Sequence, residues 1–93
     1  MKVTIYGRES CSFCKRAVNL CERKGFDYQY LTLVDEVSNP EKEITKFDLE
    51  VKLDAPVRTV PQILVEKDGK EEHIGGFEEF NSYVRSLRSS TPP

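Results

Sequence analysis

An α/β domain, with a central mixed four-stranded sheet flanked by three helices, is the fold class the sequence predicts, and three observations carry it. Between Lys2 and Val34 a strand-like alternation, a helical stripe and a second strand-like run follow one another, the pattern of two parallel strands joined by a crossover helix. The dipeptide Asp68-Gly69 separates two further strand-like segments, as a tight antiparallel hairpin requires. Amphipathic stretches before and after that hairpin supply two more helices.

The first strand is "KVTIY" (Lys2 to Tyr6), where Val3 and Ile5 alternate with Thr4 and Tyr6 and Gly7 ends the run. Beyond Cys11 the apolar residues Cys14, Ala17, Val18 and Cys21 recur at spacings of three and four, a helical period that Gly25 stops. Ser10 is the expected N-cap of this helix. "FDYQYLTLV" (Phe26 to Val34) is aromatic and β-branched over a strand's length, and a right-handed connection is expected between it and the first strand. "DEVSNPEKE" reads as a polar loop.

The segment "ITKFDLEVKL" (Ile44 to Leu53) has a strand's alternation in Phe47, Leu49, Val51 and Leu53, but its start carries helix signals. Thr45 and Asp48 resemble a capping box, and Ile44 and Leu49 stand at the two ends of a hydrophobic staple, so a helix is predicted. "QILVEKDGKEEHI" forms the hairpin. After Gly75 and Gly76, "FEEFNSYVRSL" places Phe80, Val84 and Leu87 on one stripe, with Glu78 and Glu79 in the first turn, where carboxylates suit the helix dipole. Residues 1–88 are read as one domain and 89–93 ("SSTPP" with its prolines) as a frayed tail.

Composition narrows the function classes. No stretch approaches the roughly 18 consecutive apolar residues of a membrane span, and the start lacks the apolar core of a secretory signal, so a cytoplasmic location without membrane attachment is expected. The 16 acidic and 14 basic residues nearly cancel, leaving no global field for nucleic acid; local positive charge comes from Arg8, Lys15 and Arg16 around the cysteines. Three cysteines in a reducing compartment do not make a stapled scaffold.

The pair Cys11 and Cys14 therefore reads as a reactive dithiol. A thiolate is the nucleophile, and a free cysteine titrates near about 8.5, so a redox cysteine needs help to ionise at neutral pH. Unpaired backbone N–H groups at the helix start, with Arg8 and Lys15 nearby, give that help to Cys11, the predicted attacking sulfur. Cys14 lies on the apolar stripe one turn deeper and is the predicted resolving thiol. A zinc site would need four ligands from Cys11, Cys14, Cys21 and His73, without a second Cys-x-x-Cys or a His pair, so no metal is expected. A permanent structural disulfide over so short a loop would constrain the unfolded chain little. Cys21 reads as a small core residue and His73 as a surface or packing residue.

A Cys-x-x-Cys at a helix start in this unit suggests the thioredoxin fold. Together with "RTVPQILVE" and "HIGGFEEF", the segment "GRESCSFC" resembles the glutaredoxin family over nearly the whole chain, and is most similar to the short bacterial and phage-type dithiol members. The resemblance implies a monomeric glutathione-dependent oxidoreductase that reduces protein disulfides and glutathione mixed disulfides, with the disulfide of ribonucleotide reductase among its partners and glutathione as co-substrate.

It also implies a glutathione site. Val60-Pro61 would be a cis bond beside the cysteines, with Thr59 and Val60 offering backbone to an extended tripeptide. Gly76 permits close approach, and the N–H groups of Phe77 and Glu78 suit a carboxylate, with Glu78 or Glu79 meeting the ammonium group. Arg8 occupies the position that pairs with the glycyl carboxylate, Arg58 being a weaker candidate. The family's commonest motif, Cys-Pro-Tyr-Cys, is here Cys-Ser-Phe-Cys: Phe13 keeps the flanking ring and lacks the hydroxyl. Ser12 at the proline position is shared with some members that carry a glutathione-ligated iron-sulfur cluster, the alternative function the resemblance implies. A thioredoxin-like donor recycled by a flavin reductase is a third reading.

Overall fold

The computed structural model describes residues 1–89. Five strands and three helices follow the order β1 (Lys2–Gly7), α1 (Ser12–Lys24), β2 (Asp27–Leu33), β3 (Glu43–Ile44), α2 (Lys46–Leu53), β4 (Gln62–Lys67), β5 (Lys70–Gly75) and α3 (Phe77–Ser89). The sheet order is β3-β2-β1-β4-β5. β1 runs parallel to β2, with Ile5 opposite Tyr30, and antiparallel to β4, with Ile5 opposite Ile63. Four of these strands are those expected. β3 is the addition: Glu43, the last residue of the segment read as a loop, and Ile44, the first of the segment read as a helix, pair parallel with Thr32 and Leu33. A strand that short has no alternation to detect; its place is set by Glu43, whose carboxylate accepts the N–H groups of Ser38 and Asn39 at 2.8 Å each.

Alternation along the central strands divides the interior in two. Val3 and Ile5 of β1 and Ile63 and Val65 of β4 point to one face, where Ala17, Leu20, Cys21, Phe80 and Val84 of α1 and α3 cover them. Tyr6 and Leu64 point to the other, with Leu31, Leu33, Leu49 and Val57. Thus α1 and α3 share one side and α2 takes the other.

The local signals hold in most places. Asp68 and Gly69 adopt φ of 55° and 79°, the left-handed pair that the hairpin turn needs. Gly25 ends α1 at φ 72°. Thr45 caps α2 by accepting the Asp48 N–H at 3.1 Å, and Ile44 packs into the cluster that holds Leu49. The α1 cap differs from expectation. Cys11, not Ser10, is the N-cap, with φ −113° and ψ 109°, and its Sγ accepts the Cys14 N–H at 3.1 Å. The sulfur fills the role of a capping hydroxyl, and Ser10 stays exposed in the turn before it. Of the expected frayed tail, Ser89 is the last residue of α3 and the remainder lies outside the described residues. Among the described residues no helix is long and apolar enough to cross a membrane.

Cys21 is fully buried and unbonded, as the apolar stripe implied. Burial pushes its thiol up to about 11 from an ordinary value of 9.0. The folded chain then holds this proton more tightly than the unfolded chain, so the contribution is complete below about pH 9 and lost as pH rises toward 11. Urea unfolding of wild type is expected to lose on the order of 1 kcal/mol between pH 8.5 and 10. Cys21→Ala should show a flatter slope over that window; an identical slope would remove Cys21 as the cause.

Candidate active site

Everything near the cysteines is set by where β1 ends and β4 begins. β1 delivers the chain through Gly7 into the turn at Glu9 and Ser10, and α1 begins one residue after Cys11. Cys11 and Cys14 are joined as a disulfide with Cα atoms 5.2 Å apart. The two sulfurs differ in access. Cys11 is part-exposed, whereas Cys14 is 0% exposed under the first turn of α1. An incoming disulfide meets Cys11 alone.

Against Cys11 lies the loop that leads into β4. Its Val60-Pro61 bond is cis, and the Val60 carbonyl oxygen is 3.9 Å from Cys11 Sγ. This loop is tied at both ends. Glu50 of α2 accepts the Val57 N–H at 2.7 Å, and the Gln62 amide donates to the Thr59 carbonyl at 2.8 Å. With its nitrogen so engaged, Gln62 turns its oxygen to His73 Nε2 at 2.7 Å, which fixes that ring nitrogen as the donor.

A groove of about 310 Å³ runs beside the disulfide, lined by Phe13, Thr59, Val60, Pro61, Gly76, Phe77, Glu78 and Glu79. Ligand pockets start near about 300 Å³, so it has the size for one small ligand. Phe13 is 47% exposed; its ring lies 6.3 Å from that of Phe77, with the Arg16 guanidinium 5.2 Å above it. The acidic pair divides. Glu79 Oε1 accepts the Gly76 N–H at 3.0 Å, the reciprocal bond of a capping box at the start of α3. Glu78 is exposed, with no such bond among the described residues. Gly75, at φ 119°, is a position that disfavours any side chain, and a Cβ there would press on Glu79 at 3.1 Å.

Arg8 and Arg58 do not line that groove. With Lys46 they surround a second hollow of about 130 Å³, which shares Thr59 and Val60 with the first. The two hollows meet at Thr59 and Val60, one with acidic and N–H groups, the other basic. Lys46, Gln62 and His73 had no sequence signal: each reaches this place through the fold. Among the described residues no group of three or more His, Cys, Asp or Glu side chains is placed to hold a metal ion.

Known proteins share this arrangement. A family model described as Glutaredoxin matches residues 3–71. Over 90 residues the chain is 40% identical to Glutaredoxin 1 of Escherichia coli (strain K12), covering 91% of this chain and 94% of that one. The chain belongs to the glutaredoxin family. The glutaredoxin of Vibrio cholerae is 39% identical over 90 residues, covering 91% of this chain and 92% of its own. The structure of reduced E. coli glutaredoxin matches this glutaredoxin with a TM-score of 0.71 at 37% identity, covering 97% of this chain and 100% of the other. The fold is therefore thioredoxin-like, with a fifth strand beyond the four expected. This glutaredoxin is a glutathione-dependent thiol-disulfide oxidoreductase that works through the dithiol of Cys11 and Cys14.

Proposed function

We propose that this glutaredoxin reduces protein disulfides and glutathionylated proteins, with Cys11 as the attacking sulfur, Cys14 as the resolving one, and glutathione lying across the Val60 loop. The observation that carries the site is the pair of hollows meeting at Thr59 and Val60 beside Cys11. Glutathione is extended, with an ammonium and a carboxylate at its γ-glutamyl end, a carboxylate at its glycyl end and its sulfur between them. Its γ-glutamyl carboxylate suits the N–H groups of Phe77 and Glu78 at the start of α3, and its ammonium suits Glu78, because Glu79 is occupied by Gly76. Its glycyl carboxylate suits the basic hollow of Arg8, Lys46 and Arg58. Between them the backbone of Val60 is available for short strand addition, Pro61 and Phe13 forming the apolar walls.

The chemistry follows from position. The Cys11 thiolate at the helix cap accepts the Cys14 N–H and faces the positive end of α1. It attacks one sulfur of the client disulfide, forming a mixed disulfide and expelling the other sulfur as a thiolate. Cys14, deprotonated, then attacks Cys11 Sγ; the Cys11–Cys14 bond forms and the second client thiolate leaves, so that the client gains two electrons. One glutathione thiolate opens that bond at Cys11, releasing Cys14, and a second attacks the resulting mixed disulfide to give oxidised glutathione and the dithiol. The resemblance extends the client class to the disulfide of ribonucleotide reductase, and the reading takes residues 1–88 as one domain acting as a cytoplasmic monomer without a resident metal.

The test is titration of the Cys14→Ser protein with glutathione disulfide, followed by chemical-shift mapping. Shifts are expected at Arg8, Thr59, Val60 and Gly76 to Glu78; a stable adduct that leaves these residues unmoved would overturn the site. Glu78→Ala is expected to weaken glutathione binding about two- to fivefold, the range of an exposed ion pair, with stability unchanged. Glu79→Ala should instead lower stability by about 1 kcal/mol through loss of its cap. The reverse pattern in calorimetry and urea unfolding would exchange the two roles.

A further inference from the structure

On the far side of Phe77 from the glutathione groove, α1 and α3 enclose a third and larger hollow. Its first part, about 690 Å³, is lined by Arg16, Asn19, Glu22, Arg23 and Phe77. Its second part, about 270 Å³, continues through Arg23 to Lys24 and Arg85 over the apolar pair Leu20 and Val84. Phe77 also lines the glutathione groove, so this hollow adjoins the site beside Cys11 at that ring. The charge along it is one-sided. Arg16, Arg23, Lys24 and Arg85 line it in a chain whose net charge is −2. Its acidic member, Glu22, accepts a hydrogen bond from the Tyr28 hydroxyl at 2.9 Å.

We propose that the groove between α1 and α3 docks an acidic segment of the client protein, next to the disulfide that Cys11 attacks. The inference rests on the oxidoreductase reading and adds the chemistry of its preferred clients. From Arg16 to Lys24 the helix rises about 12 Å, the reach of three to four extended residues. A segment leaving Cys11 over Phe13 and Phe77 enters the groove at Arg16 and passes Arg23 and Lys24. With glutathione in the groove proposed for it and the client segment between α1 and α3, a glutathionylated client can fill both sites at once. A peptide is favoured over nucleic acid because the hollow adjoins the site of the reactive sulfur, and among the described residues that line it Phe77 is the one aromatic face for stacking.

The test uses the full chain and three peptides with the same disulfide, flanked by four aspartates, four serines or four lysines. For wild type, kcat/KM is expected to fall in that order, by about tenfold from first to last at low salt, and the spread should shrink in 0.5 M salt. R23E/K24E is expected to abolish or reverse the order. It should leave reduction of a small glutathione mixed disulfide unchanged, which separates failure of this proposal from failure of the oxidoreductase reading. R23Q/K24Q, which places no acid at the end of α1, should flatten the order in the same direction. Equal rates for the three wild-type substrates, or the same order retained in both variants, would overturn the proposal. So would competition by single-stranded DNA as strong as that of the acidic peptide.

Discussion

Cys14→Ser is expected to retain reduction of glutathione mixed disulfides near the wild-type rate while lowering reduction of protein disulfides roughly a hundredfold or more. The two reactions diverge because only one needs an internal second thiol. A glutathionylated client leaves its glutathione on Cys11, and a second glutathione removes it. A client disulfide leaves the client itself on Cys11, and release then depends on Cys14, whose Cα is 5.2 Å from that of Cys11 and whose sulfur is shielded from competing solutes. The loss is thus that of an intramolecular reaction replaced by a bimolecular one. Cys11→Ser should abolish both activities, because no other thiol among the described residues is exposed: Cys14 and Cys21 are fully buried, and the Cys21 thiol is held protonated at neutral pH. Parallel assays with a glutathionylated peptide and a protein disulfide decide the matter, and equal losses in both for Cys14→Ser would contradict the division of roles.

Much of this was legible from local signals. Spacing placed Cys14 on the buried stripe of α1, and Asp68-Gly69 gave the hairpin. In α2 a strand-like alternation competed with cap signals, and the caps were the better guide. Leu49 faces the core while Phe47 and Val51 are 62% and 67% exposed, so two of the four alternating apolar residues stay outside the core. What stayed hidden was set by distance in the chain. β3 exists because β2 offers a free edge, not because Glu43 and Ile44 favour a strand. Residue preference favours Ser10 as the cap, and Cys11 displaces it because its sulfur takes the same bond. The basic hollow needs Arg8, Lys46 and Arg58 from three separate segments, and the support of Thr59 by Gln62 and His73 crosses from β4 to β5. The roles of Val60 and Pro61 came from family resemblance, since an isolated Val-Pro carries no sign of a binding loop.

Gly7 tests how tightly this assembly is built. It ends β1 opposite Thr32, and a Cβ there would collide with the Tyr30 hydroxyl and with Cys14 Sγ, and come within 3.0 Å of Cys14 Cβ. Neither neighbour can retreat easily. Tyr30 donates its hydroxyl hydrogen to the Arg8 carbonyl at 2.8 Å, and Cys14 is fixed in the first turn of α1 with its N–H on Cys11 Sγ. Gly7→Ala must therefore either break the Tyr30 bond or tilt the start of α1, at about 1 to 3 kcal/mol of overpacking. In a domain of this size that lowers the Tm by roughly 4 to 8 °C for each kcal/mol lost. Because the collision bears on Cys14 and spares the exposed side of Cys11, reduction of protein disulfides should fall more than reduction of glutathione mixed disulfides. Tyr30→Phe in the Gly7→Ala background removes one of the colliding atoms and should recover part of the stability. If Gly7→Ala unfolds at the wild-type temperature, the close approach of β1 to Cys14 is not what holds the resolving sulfur in place.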